Sequence, residues 1–438
     1  MQRIILAITA MVMTLTAAAY TVTHCQAGQL ALRVDDCDIT SLEVQGYMDA
    51  RDFRFIADSL RQLTQLDLSQ ASIQDYKGES LFANVSEYAA NQIPPMSLAS
   101  MLELTTVKLP NTVVALCDGC MSGCPQLSVI ELPSSLTHIG DYAFSGCERL
   151  TQVNVGMALE RIGDGAFSNC PNLKTIQLAQ SSLDMTSTLA SATLHIGNRA
   201  FANCPQLETL SLTPLGSMGN EALAETGLTH LDLSKETQLD TLPDWALSNT
   251  SLTQLALPPH LRFIGQGALM NDDALTQFTL PATLRHIDSY AMAYMTGLQQ
   301  IESKPTQVPT LGDSVWYGVE QNKVKLNVSP QSLNDYRLAL QWCNFLIGSL
   351  QNGDVNGDGS IDIADVNILI NIMLGRDNAD NYDGRAYVTA GDTEVDIADV
   401  NAVINIMVGK ARALRKAAEE AAKRAQQTTH AATPTAIR

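Results

Sequence analysis

The sequence predicts a repeat solenoid, an α/β array of coils with a parallel β-sheet along one face, followed by a small all-α module of calcium-binding loop–helix units. Three observations predict it. A leucine-opened phrase recurs nine times between Leu104 and Leu298, in steps of 21 to 24 residues apart from one of 34. Every copy carries the same alternation of apolar and polar positions. After Gly348 the composition turns abruptly to aspartate and glycine, and one helical phrase then occurs twice. A long-held period of this kind marks stacked coils, each of which buries its apolar faces only against its neighbours.

The opening leucines are Leu104, Leu127, Leu150, Leu173, Leu207, Leu228, Leu252, Leu275 and Leu298. Within one copy, Leu150, Val153 and Val155 alternate as a short strand with one buried face requires. Pro110, Pro133, Pro258 and Pro281 follow such strands and end them, because proline cannot donate to the next ladder bond. A second apolar pair closes each coil: Ile139 with Phe144, Ile162 with Phe167, Ile196 with Phe201, Ile264 with Leu269. The glycines after the isoleucines, Gly140, Gly163, Gly197 and Gly265, are expected to supply a tight turn.

The copies LSVIELPSSLTHIGDYAFSGCER (127–149) and LTQVNVGMALERIGDGAFSNCPN (150–172) resemble the BspA-like leucine-rich repeats of secreted bacterial surface proteins. Leu42–Ile73 resembles the amino-terminal cap of such proteins, and Leu326–Ile347 their closing unit. The resemblance covers roughly residues 40–348. It implies a cap over residues 28–100, repeats over 101–303 and a closing unit over 304–348. It also implies adhesion to host or neighbouring-cell proteins. Two departures touch packing only: an insertion at 179–192, and Leu223, Leu247, Leu269 and Met292 in place of phenylalanine.

Residues 1–27 read as a secretory leader. Arg3 supplies the positive start, Ile4 to Ala19 the apolar core and Ala27 the cleavage position. The apolar run is short for an anchored helix, and no other stretch is apolar enough to span a membrane. Cys25 invites a lipoprotein reading, but Val22-Thr23-His24 before it lacks the small residues that reading needs. The net charge of −19 and pI near 4.6 argue against nucleic-acid binding, which needs a basic face.

Cys124, Cys147, Cys170 and Cys204 share one repeat position. They read as a ladder of buried thiols, with pairing within the ladder, or between Cys117 and Cys120, left open. His138, His195 and His286 share another position, which other coils fill with Arg161, Thr241 or Phe263, so it reads as a solvated strand site. No nucleophile with a base, acid pair or phosphate loop stands at a recognisable spacing. The chain therefore reads as a binding protein and not an enzyme. Its expected protein-binding face is the outward side of the strands: Gln152, Asn154, Thr175, Gln177, His230, Asp232, Gln254 and Gln277.

Residues 349–410 carry ten Asp, one Glu and three basic residues. DVNGDGSIDIAD places oxygen ligands for Ca2+ at Asp354, Asn356, Asp358, Asp362 and Asp365. The Ser360 carbonyl is expected among them, with Gly359 at the sharp turn. The helix IADVNILINIML that follows recurs as IADVNAVINIMV at 397–408. Paired loop–helix units of this kind resemble a type I dockerin, which implies a cohesin-like partner. The second loop departs from the pattern. It keeps Asp392, Asp396 and Asp399, but counting back puts Val388 and Ala390 at ligand positions unless one residue is inserted. By the resemblance, Ile363, Ala364, Ile397 and Ala398 mark the docking surface; alternatively, the isoleucines pack the two helices together. Residues 411–438 form an alanine-rich basic tail of helical propensity.

The expected function is adhesion by a secreted or surface-displayed protein whose solenoid binds other proteins, with calcium-dependent docking through the tail module. The alternative is a non-catalytic component of an extracellular polysaccharide-degrading assembly, tethered through that module.

Overall fold

The computed structural model describes residues 20–178, 193–211, 214–329, 331–349, 353–356, 361–382, 386, 388, 394–409 and 412. The insertion at 179–192, residues 1–19 and nearly all of the basic tail lie outside them. The chain divides into two compact units. The first runs to Leu275 and takes in His286–Gly297 and Leu311–Val319; the second holds Thr276–Arg285, Leu298–Thr310 and the chain from Glu320.

The first unit opens with β1 (Tyr20–Cys25), β2 (Ser41–Met48), α1 (Ala50–Ser59) and β3 (Gln65–Ile73). β1, β2 and β3 pair in parallel, and strands Thr106–Lys108 and Val129–Glu131 extend the sheet in register. α1 begins at a capping box in which Asp49 caps the helix and Asp52 answers from its third position. β1 is a departure from expectation. Residues 20–25 fall inside the stretch read as leader, yet they form the edge strand, with Val22 and Cys25 buried.

Each coil contains a second, shorter strand that the sequence shows only as an isolated apolar position. Gln92–Ile93, Ala115–Leu116, His138–Ile139, Arg161–Ile162, Leu194–Ile196 and Leu215–Met218 build a six-stranded parallel sheet. Its isoleucines point inward and its polar residues outward. The third side is a turn with two residues in the left-handed region, such as Tyr142 and Gly146, Trp245 and Asn249, or Tyr290 and Tyr294. Between them the phenylalanines stack: Phe144 on Phe167 at 5.1 Å and Phe167 on Phe201 at 5.5 Å, with ring planes nearly parallel. Leu223, Leu247, Leu269 and Met292 continue the buried column without rings.

The glycines of the repeat act differently from the turn role expected of them. Gly140, Gly163, Gly197 and Gly265 stay out of the left-handed region. A Cβ on Gly163 would lie 2.6 Å from the backbone N of Asp141 in the preceding coil. Close approach between coils is what excludes a side chain there. The residue after each glycine locks that approach. Asp118 Oδ1 accepts from the Asp141 amide (2.9 Å), Asp141 from Asp164 (2.8 Å), and Asp164 from Asn198 (2.7 Å).

In the second unit, Gln277–Leu280, Gln300–Ser303, Lys325–Val328 and Leu346–Ser349 form a parallel sheet that runs from the last repeats into the segment read as the closing unit. α2 (Leu333–Leu338) presents Tyr336 to Ser303 (2.7 Å) and to the ring of Trp342 (5.3 Å), whose Nε1 donates to the Pro309 carbonyl. Farther along, α3 (Ile363–Met373) and α4 (residues 397–409) share a core of Val355, Val366, Leu369, Val400 and Val403.

Candidate functional site

The strand face expected to bind is where the sequence puts it. Gln152, Asn154, Gln177, His230, Asp232, Gln254 and Gln277 are exposed and Thr175 is half-exposed. Parallel register sets Gln152 beside Thr175, Asn154 beside Gln177, and His230 beside Gln254. These residues present amides, hydroxyls, the His230 imidazole and the Asp232 carboxylate, with no tyrosine, tryptophan or arginine among them.

A concave site lies on the other sheet, and the residue pattern did not reveal it. The outward column of the second sheet runs Gln92, Ala115, His138, Arg161, in register from coil to coil. Ala115 is the one small residue in it, so the column dips there. Above the dip stands an antiparallel hairpin, β4 (Tyr76–Phe82) and β5 (Val85–Tyr88). Tyr88 closes the hairpin, its hydroxyl accepting from the Leu81 and Phe82 amides and donating to the Val85 carbonyl. Arg54 of α1 ties the hairpin to the cap through the Leu81 carbonyl (3.0 Å) and the Phe82 ring.

The resulting groove encloses about 1170 Å³. Tyr88, Pro94, Pro95, Met96 and Tyr142 line it with apolar surface. Glu87, Asp118, Asp141, His138 and Arg161 supply charge and hydrogen bonds. Arg161 lies 3.4 Å from Asp141, and His138 Nδ1 shares a 2.8 Å hydrogen bond with the Thr137 hydroxyl. Cys117 also lines the groove, but burial, with Asp118 beside it, pushes its thiol up to about 11. It is therefore a protonated donor at neutral pH and not a nucleophile.

The comparisons with known proteins bear on this architecture. The BspA type leucine rich repeat region matches residues 76–189, 183–299 and 262–346, together more than half of the chain. The chain belongs to the BspA-type leucine-rich-repeat family. A search of the curated proteins gives no match. Among solved structures, a leucine-rich repeat protein of Bacteroides ovatus is similar at 20% identity, over 76% of this chain and 92% of that one, with a TM-score of 0.34. A leucine rich cell surface protein of Faecalibacterium prausnitzii is similar at 14% identity, over 63% and 86%, with a TM-score of 0.34. The pneumococcal vaccine antigen PcpA is similar at 18% identity, over 72% and 74%, with a TM-score of 0.34.

In this BspA-type array the cysteine ladder is a column of free thiols; all nine cysteines of the chain are unpaired. Cys124, Cys147, Cys170 and Cys204 are buried, and each donates to a carbonyl of the coil before it at 3.1–3.4 Å. Burial pushes Cys124 up to about 11 and Cys147 higher still. His138 and His195 are exposed strand residues, as expected. Among the described residues no helix is long and apolar enough to cross a membrane, and no cluster of three acidic, histidine or cysteine side chains converges to hold a metal.

Of the residues expected from the sequence to hold calcium, Asp354 and Asp365 are fully buried, and Asn356 and Asp362 flank them. Asp358, Ser360 and Asp392 lie outside the described residues. Asp365 accepts from the Val355 and Asn356 amides on one oxygen and from Asp362 on the other, while Asp362 caps α3. Asp399 repeats this in the second loop–helix pair, accepting from Val388 (2.7 Å) and Asp396 (3.0 Å), and Asp396 caps α4. Val388 is thus the counterpart of Val355, one residue farther from its aspartate. This spacing matches the reading in which the second loop carries one inserted residue. Ile363 and Ile397 do not pack the helices together; they are 62% and 59% exposed at equivalent first turns, beside Ala364 and Ala398.

Proposed function

We propose that this chain is a secreted or surface-displayed adhesion protein that holds a segment of another protein in the groove beneath the β4–β5 hairpin. The observation that carries the reading is the make-up of that groove. Tyr88, Tyr142 and Arg161 are the residue types that dominate protein interfaces, and here they line a concavity, whereas the predicted strand-face residues include none of these types. An extended segment seats apolar side chains on Tyr88, Met96 and Tyr142 and directs a basic side chain to Glu87, Asp118 and Asp141. Membership of the BspA-type family and the leader-like start of the sequence support surface display. No part of this reading calls for catalysis.

Ala115→Arg tests it. The same column already carries Arg161, so the variant is expected to fold and melt like the parent while filling the groove. Binding to a panel of immobilised extracellular-matrix proteins should fall at least tenfold, roughly the loss of one interface anchor. Gln152→Arg with Gln177→Arg on the strand face should leave it unchanged. The reverse pattern would move the binding site to the strand face.

The carboxy-terminal module deepens the proposal as a dockerin-like unit that takes Ca2+ and docks a cohesin-like partner through Ile363, Ala364, Ile397 and Ala398. The spacing of oxygen-bearing residues over 354–365, with Asp354 and Asp365 buried in one loop–helix turn, supports a hard divalent cation there. Asp354, Asn356, Asp358, Asp362, Asp365 and the Ser360 carbonyl would hold it, with Asp392, Asp396 and Asp399 as the weaker set. Asp354→Ala with Asp358→Ala should abolish the calcium-dependent rise in the module's melting and leave the solenoid transition unchanged in calorimetry. Equal stability of the parent in calcium and in chelator would remove calcium from the account. If the module retains a partner and the solenoid binds none, the alternative of a tethered assembly component takes over.

A further inference from the structure

The bond expected to be cut on export, Ala27–Gly28, lies inside the folded first unit. Arg51 Nη2 donates to the Ala27 carbonyl (3.2 Å), and the Gly28 amide donates to Asp52 (2.7 Å). Upstream of it, β1 pairs along β2 through Tyr20–Leu42, Thr21–Glu43, Val22–Val44 and Cys25–Gly46. The partner strand is shaped for this. Gly46 sits at φ +114°, and a Cβ there would meet the Cys25 backbone at 2.6 Å. Its backbone conformation already favours glycine, and the close approach of β1 leaves no room for a side chain there either. Tyr20, at the start of β1, is anchored by its hydroxyl, which donates to the Arg33 carbonyl (2.7 Å) and to Asp35 (2.9 Å).

We infer that the leader is removed between Ala19 and Tyr20, and that β1 is the first strand of the mature protein. This rests on the leader reading of residues 1–19 and moves its end. Ala17-Ala18-Ala19 offers small residues one and three positions before that bond, which is the pattern a leader peptidase accepts. Ile4–Leu15 is then an apolar run of twelve residues, inside the usual range, whereas a cut after Ala27 leaves a longer run and a polar Thr-His-Cys-Gln stretch within the leader. In the reaction, water adds across the Ala19–Tyr20 peptide bond. The C–N bond breaks, leaving a carboxylate on Ala19 and a protonated amine on Tyr20. Cys25 is excluded as a lipidated amino terminus, because its side chain is buried at the end of β1.

The test is the amino terminus of the exported protein. The full chain is expressed with its own leader in an exporting bacterium and analysed by intact mass and terminal sequencing. A terminus at Tyr20 is the expected result. A terminus at Gly28, a lipid-modified Cys25, or an uncut chain beginning at Met1 would each overturn the inference. A second measurement is independent of processing: chains spanning 20–438 and 28–438 are made without leader and melted. The shorter chain should melt lower by about 5 °C or more, having lost the strand that covers Leu42 and Val44. Identical melting would show that β1 is no part of the mature fold.

Discussion

Gly163→Ala is expected to destabilise the first unit by roughly 3 kcal/mol or more. The added carbon would stand 2.6 Å from both the Asp141 nitrogen and the Gly140 carbonyl carbon, and backbone atoms of a stacked coil cannot rotate away. Separating the coils to make room would stretch the Asp141–Asp164 bond and the Phe144–Phe167–Phe201 stack together. Gly146→Ala is the informative contrast. Gly146 sits at φ +74°, but its nearest neighbour is 3.7 Å away, so the substitution should cost only the left-handed penalty of about 1–2 kcal/mol. Thermal unfolding of the two variants decides which property matters. A larger loss at Gly146 would return the repeat glycines to a turn-forming role.

Asp272→Asn is expected to stabilise the protein at neutral pH and to flatten its pH dependence. Asp272 continues the buried column that holds Cys204, Thr226 and Thr250, and it is fully buried. Its Oδ1 accepts from the Thr250 amide (2.8 Å) and hydroxyl (2.7 Å), while Oδ2 has no partner among the described residues. Burial pushes its pKa up to about 8 from the ordinary 3.8, against the smaller downward pull of Thr250. A carboxyl with a raised folded-state pKa takes up a proton on folding. Stability is therefore full below about pH 4 and declines as pH rises toward 8. At pH 7 the decline amounts to roughly 4 kcal/mol. Asparagine keeps the acceptor for Thr250 and carries no charge at any pH. Unfolding followed from pH 4 to pH 9 should show a falling curve for the parent and a flatter one for the variant. Parallel curves would mean that Asp272 does not titrate in this range.

The reach of the sequence can be judged residue by residue. The period placed Leu127, Leu150 and Leu173 in the core and Gln152 and Gln177 on the surface, because burial in a stacked coil repeats whenever the pattern repeats. It also marked Cys124, Cys147, Cys170 and Cys204 as one column. It named Gly163 but attached the wrong cause, since a glycine demanded by a turn and one demanded by a neighbouring coil look alike in a string of letters. The second loop of the carboxy-terminal module had two readings in the sequence. The Val388–Asp399 hydrogen bond selects the one with an inserted residue.

What the sequence determined by itself is the solenoid and its faces, since a hydrophobic pattern held over nine copies leaves few ways to bury its leucines. Tertiary structure alone decided the rest. The groove exists because a hairpin at 76–88 stands over Ala115, a small residue some thirty positions later, and no local pattern encodes that meeting. The same holds for β1. Residues 20–25 follow directly on an apolar run and so pass for the end of a leader, and only their pairing with β2 makes them part of the fold. Periodic contacts are written in the sequence because each copy restates them; contacts made once, between distant segments, are fixed only when the chain closes on itself.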